Sequence, residues 1–116
     1  MSGRIYKNII EVRQGDSFNI LLEFRHCCKG VDLSNAEVLM QVRNQDGDLL
    51  FSCTGESVDA ENGKMILHLT PEMTLAEEGD YLCDIQLTTS DGSVNTVFPA
   101  NVNQVGTFRI TKQITK

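Results

Sequence analysis

Glu77-Glu78-Gly79-Asp80-Tyr81-Leu82-Cys83-Asp84-Ile85-Gln86-Leu87 is the stretch whose reading decides the fold. Glu78-Gly79-Asp80 reads as a turn that releases into strict alternation. Tyr81, Cys83, Ile85 and Leu87 fall on one face; Leu82, Asp84, Gln86 and Thr88 fall on the other. A period of 2 with one apolar face describes a half-buried β-strand, and the rest of the chain supplies strands to pair with it or pack against it.

The same alternation recurs on both sides. Phe18, Ile20, Leu22 and Phe24 alternate with Asn19, Leu21, Glu23 and Arg25, and this run of large apolar residues at spacing 2 predicts a central core strand. Val38, Met40 and Val42 face inward on a strand from Glu37 to Arg43. A hairpin turn over Asn44-Gln45-Asp46-Gly47-Asp48, with Gly47 at positive φ, returns the chain as Leu49 to Thr54. Lys64 to Leu69 turns Met65, Leu67 and Leu69 inward and Ile66 and His68 outward. A second hairpin at Ser90-Asp91-Gly92-Ser93 leads into Val94 to Phe98, and Val105 to Thr111 closes the domain with Phe108 and Ile110. Arg4 to Val12 alternates loosely, with a break at Lys7-Asn8, as an edge strand in one or two pieces. Gly55 to Gly63 is polar and acidic and predicts loop, as does Pro99 to Gln104. Thr70 as N-cap and Pro71 at the first helical position allow one helical turn near 71–76.

These elements predict an all-β, two-sheet antiparallel β-sandwich, immunoglobulin-like, of seven to eight strands. It forms a single domain over residues 1–116, with 1–4 and 112–116 as ends that can fray. Glu77-x-Gly79-x-Tyr81-x-Cys83 has the spacing of a tyrosine corner, which gives Gly79, Tyr81 and Cys83 structural roles. The chain has no Trp, and no Cys lies within Phe18 to Phe24, so the inter-sheet disulfide of a true immunoglobulin domain is not expected.

Composition narrows the function. With 16 acidic against 10 scattered basic residues the formal charge is −6, which argues against a nucleic-acid partner. No apolar run approaches the ~20 residues of a membrane span. The first ten residues lack the apolar core of a secretory signal, so the chain is expected to be made and kept in the cytoplasm. In that reducing compartment Cys27, Cys28, Cys53 and Cys83 are expected as free thiols.

No constellation reads as catalytic. His26 and His68 are the only histidines, and no nucleophile elbow accompanies them. His68, on a polar face, is expected to be solvated. His26-Cys27-Cys28 lacks the spacing at which two zinc ligands converge. Asp46-Gly47-Asp48 and Asp59-x-Glu61-Asn62 lack calcium-loop spacing, and turn chemistry accounts for them. No cofactor, no metal and no enzymatic activity are expected.

Taken in order, the punctuating segments resemble a known domain. They are Gly15-Asp16-Ser17, Asp32-Leu33-Ser34-Asn35-Ala36, Leu69-Thr70-Pro71-Glu72-Met73-Thr74, Gly79 to Leu87, Asp91-Gly92, Thr96-Val97, Gly106-Thr107-Phe108-Arg109-Ile110 and Ile114-Thr115. Their order is similar to the small β-sandwich domain of tailed-bacteriophage structural proteins, notably the N-terminal domain of baseplate upper and related tail or fibre proteins. Cys27-Cys28 and the Pro99 to Val105 insert depart from that pattern. The resemblance implies a non-catalytic virion component that attaches to other virion subunits or to itself. The alternative is a carbohydrate-binding or adhesion module, for which an exposed cluster of Tyr6 with Phe98 would be the sign. Leu21, Leu39, Leu50 and Ile66 lie opposite the predicted core faces and form the candidate interface; exposed together, they would make an apolar patch.

Overall fold

In the computed structural model, which describes residues 3–26, 29–30, 32–99 and 105–112, the chain forms β1 (Gly3–Tyr6), β2 (Ile9–Arg13), β3 (Phe18–Glu23), β4 (Arg25–His26), β5 (Lys29–Gly30), β6 (Glu37–Arg43), β7 (Leu49–Thr54), β8 (Glu56–Asp59), β9 (Lys64–Leu69), β10 (Gly79–Thr88), β11 (Val94–Phe98) and β12 (Gly106–Thr111). Seven strands make one sheet in the order β1-β2-β12-β10-β6-β7, with β11 also on β10. Three make the second, β3-β9-β8, and β4 and β5 form a two-residue ladder of their own. The sheets pack as a sandwich around one core.

The stretch that opened the argument is the hub of the large sheet. β10 pairs with β6 over Leu82 to Thr88 on one side. On the other it pairs with β12 over Gly79 to Cys83, then with β11 over Ile85 to Thr88. The strand already begins at Gly79, so Gly79-Asp80 extends it rather than turning ahead of it. Its inward side chains Cys83, Ile85 and Leu87 are buried beside Val38, Met40 and Val42 of β6 and Phe108 and Ile110 of β12. From the facing sheet Phe18, Ile20, Met65, Leu67 and Leu69 complete the core, and Leu33 plugs it from the loop before β6. Phe51 and Phe108 meet edge to face, 5.5 Å between centroids and 78° between planes, across the small row Val42, Cys83 and Gly106. Gly106 has no room for a side chain: a Cβ there would collide with the Cys83 carbonyl oxygen.

The structure also departs from the sequence reading elsewhere. The described residues hold twelve strands: Arg4 to Val12 falls into the two pieces that the break at Lys7-Asn8 allows, and β4, β5 and β8 are short ladders, without an apolar face, that the alternation did not mark. Glu56–Asp59, read as loop, is β8; all four residues are exposed, and the strand exists because its backbone pairs with β9. The helical turn is a 3₁₀ turn at Ala60–Asn62, ended by Gly63 at φ 79°, whereas residues 71–74 make a plain turn. β2 and β12 run parallel, the exception among the ladders of the described residues. Gly3 and Arg4 belong to β1, and 1–2 and 113–116 lie outside the described residues.

One further difference concerns β3. Phe18–Glu23 has the sequence of a central strand but occupies the edge of its sheet, with β9 as its hydrogen-bonded neighbour among the described residues. Alternation reports that one face is buried; it does not report how many strands lie alongside.

Candidate functional site

The outer face of the large sheet carries a row of alternating charge across four strands. Arg4 of β1 is in register with Glu11 of β2, Glu11 with Arg109 of β12, and Arg109 with Asp80 of β10. The Arg4 Nε donates to Glu11 Oε1 at 2.9 Å. Arg109 grips Asp80 with both arms of its fork, Nε to Oδ1 at 2.8 Å and Nη2 to Oδ2 at 3.2 Å. Its Nη1 donates to the Tyr6 hydroxyl at 3.1 Å and stands 3.9 Å from Glu11 Oε2. The Arg4 guanidinium lies 4.5 Å over the Tyr6 ring. Hydrogen bonds from Arg109 hold the Asp80 carboxyl below its ordinary range, and the same contact raises the Arg109 guanidinium. Each charge here is answered by its neighbour, so the row fixes the register of strands distant in sequence and leaves no spare charge to attract a ligand.

The loop between β9 and β10 is stapled to the turn after β2. Thr74 is fully buried, and its hydroxyl donates to the Asp16 carbonyl at 2.7 Å. Gly15 N–H donates to the Thr74 carbonyl at 3.1 Å, and Gln14 Nε2 to the Ala76 carbonyl at 2.9 Å. A few residues on, the Tyr81 hydroxyl donates to the Glu77 carbonyl at 2.7 Å, which closes the corner into β10. Burial and then Glu77 raise the Tyr81 phenol.

Thiol chemistry finds no activated group among the described residues. Cys53 and Cys83 are buried free thiols. Burial, followed by Asp84, pushes the Cys83 thiol up to about 12, and burial raises Cys53, whose Sγ donates to the His68 carbonyl at 3.3 Å. A nucleophilic cysteine needs the opposite shift, because the thiolate is the reactive form. Cys27 and Cys28 lie outside the described residues, as does the side chain of His26.

His68 is not simply solvated. Its Nδ1 meets Asn19 Oδ1 at 2.7 Å and its Nε2 stands 3.5 Å from Glu56 Oε2, so it ties β9 to both neighbours on the outer face of the small sheet. In the acidic turns, the Asn44 side-chain oxygen accepts from Asp46 N–H and Asp48 N–H, and Asn62 Nδ2 donates to Asp59 Oδ2. Among the described residues no three His, Cys, Asp or Glu side chains come together as a metal site.

The four candidate interface residues divide between the two outer faces. Leu21 and Ile66 are register partners on the small sheet, and Leu21 is 61% exposed. Half-buried Leu39 and exposed Leu50 lie on the large sheet, so no single patch holds all four. Tyr6 and Phe98 do not form a platform either. Tyr6 joins the outer charged row, while Phe98 faces inward to a cleft of about 320 Å³ under the β3 edge. That cleft is apolar, lined by Ile5, Ile20, Leu22, Phe24, Val97 and Phe98 among others. The charged row escaped the sequence reading. Its signal was a charge at one outward position in each of four alternations, without anything to say that these positions align.

No protein-family model matches the chain, and no curated protein matches it in sequence. Its fold has a solved counterpart: CopC from Methylosinus trichosporium OB3b superposes with a TM-score of 0.52 at 13% identity, covering 91% of this chain and 86% of that one. The chain has a β-sandwich fold. At that identity the likeness concerns architecture alone.

Proposed function

We propose that this chain is a non-catalytic assembly module, a structural subunit of a phage or prophage particle that acts through protein–protein contact in the tail, baseplate or fibre. The reading rests on the ordered series of segments from Gly15-Asp16-Ser17 to Gly106-Thr107-Phe108-Arg109-Ile110, which resembles the sandwich domain of such proteins. What the side chains do is compatible with it. The charged row, the Thr74 staple and the Tyr81 corner all spend their polar groups on holding strands and loops in place. The protein would be made in the bacterial cytoplasm and end in the virion, with other virion subunits or copies of itself as partners.

The test is fractionation. After induction of the genome that encodes the chain, particles are purified on a density gradient and probed with an antibody against it. The chain should band with intact particles. Its confinement to the soluble fraction, with particles complete, would refute the virion assignment.

A further inference from the structure

We propose that Asn62-Gly63 is a latent modification site, a point of self-deamidation that the fold holds in check and that reacts when the turn between β8 and β9 opens. The inference goes beyond the assembly reading and does not depend on it.

Asn62 is the only asparagine in the chain followed by glycine. In that pair the backbone nitrogen attacks the side chain most easily, because glycine has no Cβ to obstruct the approach and adopts the required conformations freely. The chemistry needs water and no enzyme. Hydroxide removes the Gly63 N–H proton, and a bond forms from that nitrogen to Asn62 Cγ. The Cγ–Nδ2 bond breaks, and ammonia leaves after taking a proton from water. Water then opens the five-membered imide at either of its carbonyls. One product is aspartate at position 62. The other is isoaspartate, whose main chain runs through the former side chain.

The reacting groups are all engaged in the folded chain. The Gly63 N–H, source of the nucleophile, donates to the Ala60 carbonyl at 3.1 Å. Asn62 Nδ2, the leaving group, donates to Asp59 Oδ2 at 2.8 Å. The Gly63 carbonyl accepts from Phe24 N–H at 2.8 Å, which ties the turn to the chain between β3 and β4. Gly63 is buried at φ 79°, and the Asn62 main chain lies so close to Gly30 that a Cβ on Gly30 would collide with the Asn62 carbonyl. Ring closure has to break the first two of these hydrogen bonds. Reaction therefore runs through the opened turn, at a rate set by the fraction of molecules in which it is open.

The products do not fit back. Aspartate at position 62 sets a second carboxylate against Asp59 where an amide donor stood, and the two charges repel. Isoaspartate lengthens the main chain by one carbon at the place where Gly30 leaves no space. Each product favours the open turn, so a transient opening becomes a lasting change.

The test follows the full chain at pH 8. Mass spectrometry of the fragment that carries residue 62 reads the exchange of ammonia for water, and enzymatic methylation scores isoaspartate. The folded protein should react at Asn62 at least ~tenfold more slowly than the chain unfolded in guanidinium chloride, the ratio that reports the opening. Asp59→Ala removes the acceptor that holds the leaving amide. It should speed the native reaction about two- to tenfold and leave the unfolded rate unchanged. Circular dichroism checks that this variant folds. Equal rates in the folded and unfolded chain overturn the proposal, as does a native rate indifferent to Asp59→Ala or an Asn62 that stays intact even when unfolded. Asn62→Asp should also unfold at lower denaturant than Asn62→Ala; equal midpoints would overturn the claim that the product favours the open turn.

Discussion

Phe108 offers the most direct measurement of how the core is held. It is fully buried on β12 and stacks edge to face with Phe51 of β7, although β6 and β10 lie between their strands. Truncating it to leucine removes part of a ring from a packed interior and should cost about 1–2 kcal/mol, against 3–5 for alanine. The native state of a chain this size has about 6–15 kcal/mol in all, so the leucine variant still folds. Part of the cost belongs to the pair. Edge-to-face rings contribute about 0.5–1.5 kcal/mol beyond their buried area. A cycle of Phe51→Leu, Phe108→Leu and the double variant, followed by urea unfolding, should return a coupling in that range. At a slope of about 1.5 kcal/mol/M, a coupling of 1 kcal/mol moves the midpoint by ~0.7 M, which is easily read. Additivity within ~0.3 kcal/mol would show that the rings are independent neighbours, and the account of a pair meeting over Val42, Cys83 and Gly106 would fall.

Two further predictions concern titratable groups. In a Cys27→Ser/Cys28→Ser background, Cys53 and Cys83 should react with Ellman's reagent far more slowly at pH 8 than in denaturant, because burial raises both thiols; rapid native reaction would contradict their burial. Asp80, depressed by hydrogen bonds from Arg109, should titrate by NMR below the ordinary ~3.9, and Arg109→Gln should return it toward that value. The sign follows: a depressed carboxyl contributes stability that is present above its unfolded pKa and is lost as pH falls through the folded one, so the contribution disappears only in strongly acidic solution.

How much of this was legible in the sequence depended on whether the deciding contact was local. β10, β6 and the two glycine hairpins were readable because alternation and turn residues lie side by side in the chain. β8 was not, since Glu56-Ser57-Val58-Asp59 has no buried side and becomes a strand only when β9 pairs with it. The row from Arg4 to Asp80 depends on β2 lying parallel to β12, a juxtaposition of residues about a hundred positions apart that no local pattern encodes. The outward direction of Leu21, Leu39, Leu50 and Ile66 followed from period 2. Their division between two sheets did not, because alternation assigns a face without assigning a layer.

That division separates two surfaces of unlike chemistry, and the difference is measurable. On the large sheet the charges of the row from Arg4 to Asp80 are already paired with one another, so a partner docking there would have to break contacts such as Arg109 with Asp80. On the small sheet exposed Leu21 and its register partner Ile66 are apolar. Contacts between exposed charges weaken once the Debye length falls to ~3 Å at 1 M salt, so Arg109→Gln should cost less stability by urea unfolding in 1 M than in 0.05 M sodium chloride; an equal cost at both would show that the row does not act through charge.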